Sequence, residues 1–90
     1  MRENKIEQYL KKRIERLGGL CIKFPPLFFV GFPDRIVLLK GGVVVFVETK
    51  TETGKPSPVQ FRVIDALRKL GFRVEVILSR ADVDAFIMSL

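Results

Sequence analysis

Asp34-Arg35-Ile36-Val37-Leu38-Leu39-Lys40-Gly41-Gly42-Val43-Val44-Val45-Phe46-Val47-Glu48-Thr49-Lys50 is two runs of aliphatic and β-branched residues hinged on a glycine pair. That pattern reads as a β-hairpin. Both runs are nearly continuous in apolar residues, as expected of strands covered on both faces. Three of the charged residues at the ends away from the turn break the apolar pattern in a way that packing does not explain: Asp34 opens the first run, and Glu48 and Lys50 close the second. Residues two apart in a strand share a face, so Glu48 and Lys50 project together, and the hairpin returns Asp34 to the same end. Register decides whether the carboxylates meet, because a slip of one residue flips every side chain. A two-residue turn at Gly41-Gly42 places Asp34 opposite Thr49. A three-residue connection, Lys40 to Gly42, places it opposite Glu48, and the longer turn or an equivalent bulge is predicted.

Outward from the hairpin, Ile6, Leu10, Ile14 and Leu17 are spaced by four, four and three, the stripe of an amphipathic helix over Asn4 to Leu17 that Gly18-Gly19 ends. Helical-wheel geometry sets Glu7 at the edge of that stripe, where core meets surface. Leu20 to Phe24 reads as a strand stopped by Pro25-Pro26. Ser57, Pro58 and Gln60 are the start of a capped helix, with Val59, Val63, Ala66, Leu67 and Leu70 as its apolar stripe and Gln60 at the edge. Phe72 to Leu78 alternates as a strand, and Ser79 caps a last helix running to about Met88. The order is helix, three strands, helix, strand, helix: an α/β sandwich around a small mixed sheet. The third and fourth strands are expected to be parallel through a right-handed crossover, with the first three as a meander.

Ninety residues make one domain, small enough that a partner subunit is a natural way to complete its core. There is no His and a single Cys, Cys21, which excludes Ser-His-Asp and Cys-His catalysis, imidazole and thiolate metal sites, and an internal disulfide. Carboxylates and lysines remain. Two carboxylates held together repel unless a cation or proton joins them, and oxygen-only ligation suits magnesium, with manganese as a substitute. Such a cation polarises a phosphoryl oxygen and acidifies water, and Lys50 on the same face orients that water or offsets charge on phosphorus. The formal charge of +6 makes a polyanion, nucleic acid first, the partner to consider. The charged N-terminus has no signal-peptide run and the longest apolar stretch is too short to span a bilayer, so a cytosolic protein with no membrane partner is expected.

Gly31-Phe32-Pro33-Asp34, Val47-Glu48-Thr49-Lys50 and Ser57-Pro58-Val59-Gln60 together resemble the PD-(D/E)xK nuclease superfamily, and within it the virus-type replication-repair nuclease (VRR-NUC) domain. The resemblance covers nearly the whole chain. It implies a restriction-endonuclease-like αβββαβ core with a C-terminal helix. It implies Asp34 and Glu48 as metal ligands with the Thr49 backbone carbonyl, and Lys50 as the catalytic lysine. Glu7 matches the family's acidic residue on the first helix, a catalytic and metal-binding position, and Gln60 the family's glutamine after the Glu-x-Lys strand. For Glu7 the competing assignment is a surface carboxylate paired with Lys11. For Gln60 it is a capping role alone.

Lys11, Lys12, Arg13 and Arg16 on the first helix, Arg35 beside the site, and Lys55 before the second helix are suited to phosphate contact, which positions without reading sequence. Recognition of nucleic-acid shape is therefore expected over recognition of sequence. The Leu27 to Phe32 loop reads first as core, then as a dimer contact or a wedge at unstacked bases, and Phe61 as a second subunit contact. A two-fold dimer brings two sites to one branched DNA. Stand-alone VRR-NUC proteins, often viral or phage-borne, are similarly associated with dimeric cleavage of four-way (Holliday) junctions and DNA repair. The resemblance thus implies a structure-specific endodeoxyribonuclease. The rival from another class is a non-catalytic nucleic-acid-binding or assembly module that keeps the fold.

Overall fold

The computed structural model describes residues 4–24, 29–50 and 54–90. Pro25, Pro26, Leu27 and Phe28 of the expected loop, and the start of the polar turn at 51–53, lie outside the described residues. Seven elements follow in order: α1 (Lys5–Arg16), β1 (Leu20–Lys23), β2 (Arg35–Leu39), β3 (Val43–Thr49), α2 (Pro58–Lys69), β4 (Arg73–Ile77) and α3 (Arg80–Met88). The strands form one sheet in the order β1-β2-β3-β4, with the first two pairings antiparallel and β3–β4 parallel. This is the expected α/β architecture of a small mixed sheet flanked by helices.

The hairpin turn has the predicted length. Leu39 pairs with Val43, leaving Lys40, Gly41 and Gly42 as the connection, and both glycines have positive φ, 81° and 74°. Arg35 pairs with Val47, so the next position of the register sets Asp34 opposite Glu48. The two faces of the sheet are covered by different helices. Cys21, Val37, Val45, Val47 and Ile77 pack with Leu10 and Ile14 of α1 and Val83 and Phe86 of α3. On the other face Phe46 and Val74 pack with Ile64 of α2. From Val45 to Thr49 every residue of β3 is buried, whereas Val43 and Val44 at the hairpin tip are exposed.

Two stripes differ from expectation. Leu17 caps α1 and is exposed. On α2 the inward residues are Gln60, Val63, Ile64 and Leu67, with Ile64 fully buried, while Val59, Ala66 and Leu70 lie outside. The helix is rotated toward the side that carries Gln60, whose amide is bonded to Glu48 of the sheet. The segment before Asp34 is pinned to α2: Gly31 has φ +87°, and a Cβ there would sit 2.7 Å from a Val59 methyl. Phe32 then packs edge-on against Phe24 and Phe46, with centroids 5.7 and 5.3 Å apart. Core filling is thus the role of Phe32, while Phe29 and Val30 remain exposed.

Candidate active site

The site lies where β2 begins and β3 ends. Glu48, 3% exposed, has both carboxylate oxygens engaged. Oε1 accepts from the Asp34 backbone N–H at 3.2 Å; Oε2 accepts from Gln60 Nε2 at 3.1 Å and faces Lys50 Nζ at 3.1 Å. Asp34 accepts in turn from Thr49, at Oδ1 from the backbone N–H (3.2 Å) and at Oδ2 from the hydroxyl (3.0 Å). The cross-strand register converts Asp34 and Glu48, fourteen positions apart in the chain, into neighbours. Burial, with the Glu48 charge beside it, pushes the Asp34 carboxyl up to about 6, although the Thr49 bonds oppose the shift. Lys50 carries its ammonium on a partly open side chain, and Asp34 and Gln60 are likewise only half-buried, whereas Glu48 and Thr49 are closed off.

Glu7 approaches from α1 on the other side of Asp34. It is not the boundary residue expected, nor is it paired with Lys11; it is 4% exposed and bound to Lys23 and Arg35. Its Oε2 accepts from the Asn4 backbone N–H at 2.9 Å while its own N–H donates to the Asn4 side chain, a capping box. Its Oε1 lies 3.2 Å from Lys23 Nζ and 3.7 Å from Arg35 Nε. Burial alone would raise the Glu7 pKa, but bonds from Asn4, Asp34 and Lys23 outweigh it and hold the carboxyl below its ordinary value. The Asn4-x-x-Glu7 spacing signalled this cap in the sequence. Lys23 carried a signal too, since it lies two positions from Cys21 on a strand and so shares that residue's α1-facing side.

Gln60 caps its helix and also reaches the acidic pair. Its Oε1 accepts from the Ser57 N–H at 2.8 Å, closing the cap of α2, while Nε2 holds Glu48.

The expected phosphate contacts divide. Lys12, Arg16 and Lys55 are exposed and Lys11 is half-buried. Arg35 corrects the expectation: it is 1% exposed and turned under α1 to Glu7, because strand alternation puts it on the same face as buried Val37. Arg13 is also committed elsewhere, bonding Tyr9 and pairing with Asp84 so that α1 is tied to α3.

The donor set suits a hard cation. Asp34 and Glu48 bring adjacent like charges and offer only oxygen, and neither imidazole nor thiolate stands near. Among the described residues no group of three or more carboxylates is gathered closely enough to enclose a metal by itself. A cation held by this pair would need backbone carbonyl and water to complete its shell.

A helix, an antiparallel meander, a crossover helix and a parallel strand, with Asp at one strand entry and Glu-x-Lys at the next strand exit, define a small nuclease-type α/β protein. The chain belongs to the VRR-NUC domain family, whose model matches residues 1–81. A solved structure of a VRR-NUC domain has the same fold with a TM-score of 0.87 at 41% identity, covering 93% of this chain and 91% of that one. A relative from Acyrthosiphon pisum secondary endosymbiont phage 1, provisionally named nuclease p44, is 39% identical over 80 residues, 89% of this chain and 86% of its own length. Among the described residues no helix is long and apolar enough to cross a membrane.

Proposed function

We propose that this nuclease-family chain is a magnesium-dependent, structure-specific DNA endonuclease that acts in the cytosol as a homodimer on branched DNA, four-way junctions foremost. The observation that carries the reading is the Asp34–Glu48 carboxylate pair, desolvated on adjacent strands, with Lys50 beside Glu48.

Asp34, Glu48 and the Thr49 carbonyl are the groups that would hold the cation. When bound it supplies Lewis acidity, polarising the phosphoryl oxygen and making water a better nucleophile near neutral pH. The chain's own residues do the rest. Hydrolysis adds one water across a P–O bond: the water oxygen bonds phosphorus and loses a proton, and the departing oxygen gains one. Lys50 Nζ, three donors on a partly exposed stem, orients the entering water and offsets charge that develops on the phosphoryl oxygens. Gln60 fixes the Glu48 rotamer from one side and the Asp34 N–H fixes it from the other. Lys12, Arg16 and Lys55 supply sequence-independent phosphate contacts.

Exposed apolar surface supports the dimer. Phe29, Val30, Val59 and Phe61 all stand in solvent, the last 52% exposed, on two segments that touch where Gly31 meets Val59. Exposed apolar residues on touching segments favour an association surface there. Light scattering on the purified protein tests it, with Phe61→Asp expected to shift a dimer to monomer.

The activity is tested by incubating a four-way junction and a plain duplex with the protein in magnesium, in manganese and in EDTA, alongside Glu48→Ala and Lys50→Ala. Cleavage of the junction by the wild type alone, abolished by EDTA, is expected. A wild type that binds both DNAs and cuts neither would make the chain a binding module. Equal cutting of both would remove only the structural selectivity.

A further inference from the structure

Lys23 and Arg35 are directly paired across β1 and β2 and both face α1. Like charges opposite each other in a sheet are destabilising unless an anion lies between them. Glu7 is that anion, with Oε1 within 3.2 Å of Lys23 and 3.7 Å of Arg35. Its second oxygen is taken by the Asn4 cap. Glu7 therefore already has two built-in cations on one oxygen and a backbone donor on the other. Among the described residues, the ion pair seen at Asp34 and Glu48 is that of Lys50 with Glu48. The three acids are thus unequally compensated: one is saturated by the protein, and two are left to share an external charge. Arg35 is sealed in the core, whereas Lys23 opens partly to solvent.

We propose that Lys23 is a positioning residue of the active site. With Arg35 it is the internal counter-cation of Glu7, and it restricts the carboxylate cluster to one divalent cation, held by Asp34 and Glu48. The proposal rests on the reading that this pair binds a cation. A second divalent ion at Glu7 would sit against two fixed positive charges in a poorly hydrated site, where Coulomb repulsion is weakly screened. Lys23 takes the place such an ion would hold. Glu7 is then a scaffold for Asp34, which it contacts, and not a metal ligand.

The test counts bound Mn2+ on metal-stripped protein by calorimetric titration and by electron paramagnetic resonance, for the wild type, Lys23→Met, Lys23→Arg and Lys23→Met/Glu7→Gln. Wild type and Lys23→Arg are expected to bind one ion per chain. Lys23→Met is expected to bind two, close enough for their spins to couple, and the double variant to return to one. Circular dichroism in EDTA checks that each variant is folded. Two ions on the wild type overturn the proposal whether or not any variant folds. So does a folded Lys23→Met that keeps one ion at unchanged affinity. Cleavage assays on the same samples separate the two readings. A wild type that binds one ion and cuts nothing defeats the nuclease assignment and leaves Lys23's role standing. A wild type that cuts with two ions defeats the Lys23 role alone, and one that binds no Mn2+ defeats both.

Discussion

Gln60 and Glu48 are joined by a 3.1 Å hydrogen bond from Nε2 to Oε2, and the same amide accepts from the Ser57 N–H through its oxygen. One side chain therefore fastens the start of α2 and the proposed metal ligand together, so that helix stability and site geometry share a residue.

Gln60→Ala should lose both functions. The bond from the Gln60 N–H to Ser57 survives, so losing the reciprocal half of the capping box costs about 0.5 kcal/mol, and the loss of a group that orients a metal ligand typically costs roughly tenfold or more in activity. Gln60→Glu separates them: its oxygen still closes the cap, but its carboxylate faces that of Glu48. Thermal unfolding should show this variant near wild type while cleavage falls further than in Gln60→Ala. Full activity in Gln60→Glu would show that the amide does not orient Glu48.

Asp34 sets a pH dependence of opposite sign to most acids. Burial and the Glu48 charge raise its folded-state pKa to about 6 from 3.8, so the native state holds the proton more tightly than the unfolded chain does. The stabilisation is complete below the unfolded value and is lost as pH rises through about 6. Glu7, held low, acts the other way and loses its stabilisation only on acidification below 4.5. In EDTA, denaturant titrations should therefore show a loss of stability between the two Asp34 values that Asp34→Asn lacks. Magnesium should stabilise the wild type more at neutral pH than at about pH 5, because the cation must displace that proton. Parallel curves for wild type and Asp34→Asn would rule this out.

Arg35 is a buried charge that shares the Glu7 carboxylate with Lys23, so its removal leaves that buried acid one cation short. Arg35→Met should cost about 3–5 kcal/mol, the usual penalty for breaking a buried pair from one side, and Arg35→Met/Glu7→Leu should recover part of it. Urea denaturation measures both. A loss under about 1 kcal/mol would mean that Arg35 does not hold Glu7 in place.

Exposed and committed cations should part company in DNA binding. Lys12→Ala, Arg16→Ala and Lys55→Ala are each expected to weaken binding similarly on any sequence and to reduce the slope of log affinity against log salt by about 0.9. Arg13→Ala, whose partner is Asp84, should leave that slope unchanged. Fluorescence anisotropy over a range of KCl concentrations distinguishes them, and an altered slope for Arg13→Ala would place it at the DNA.

Much of this molecule was legible in order and spacing. The hairpin followed from its glycine pair, and its three-residue connection from the requirement that Asp34 meet Glu48, since continuous apolar runs carry no alternation that would fix the register by themselves. The surroundings of Glu7 and Arg35 were not read, since each was judged on its own element. Their burial depends on α1 crossing the cross-strand pair Lys23–Arg35, a tertiary relation that helical spacing alone does not contain. The α2 stripe differs because the expected set left out Ile64: the inward face is Val63, Ile64 and Leu67 with Gln60 one turn earlier, an apolar stripe that also places the amide beside Glu48.

The three-residue connection at Lys40–Gly42 lies at the far end of the hairpin from the carboxylates, roughly 20 Å away at the rise of a strand. It works as a length gauge for chemistry it never touches. A two-residue turn at Gly41-Gly42, pairing Lys40 with Val43, would leave every acid, the lysine and the glutamine in the chain and yet set Asp34 across from Thr49 in place of Glu48. A slip of one residue in a surface turn is thus enough to part the two acids while the motif stays intact to any reader of the sequence.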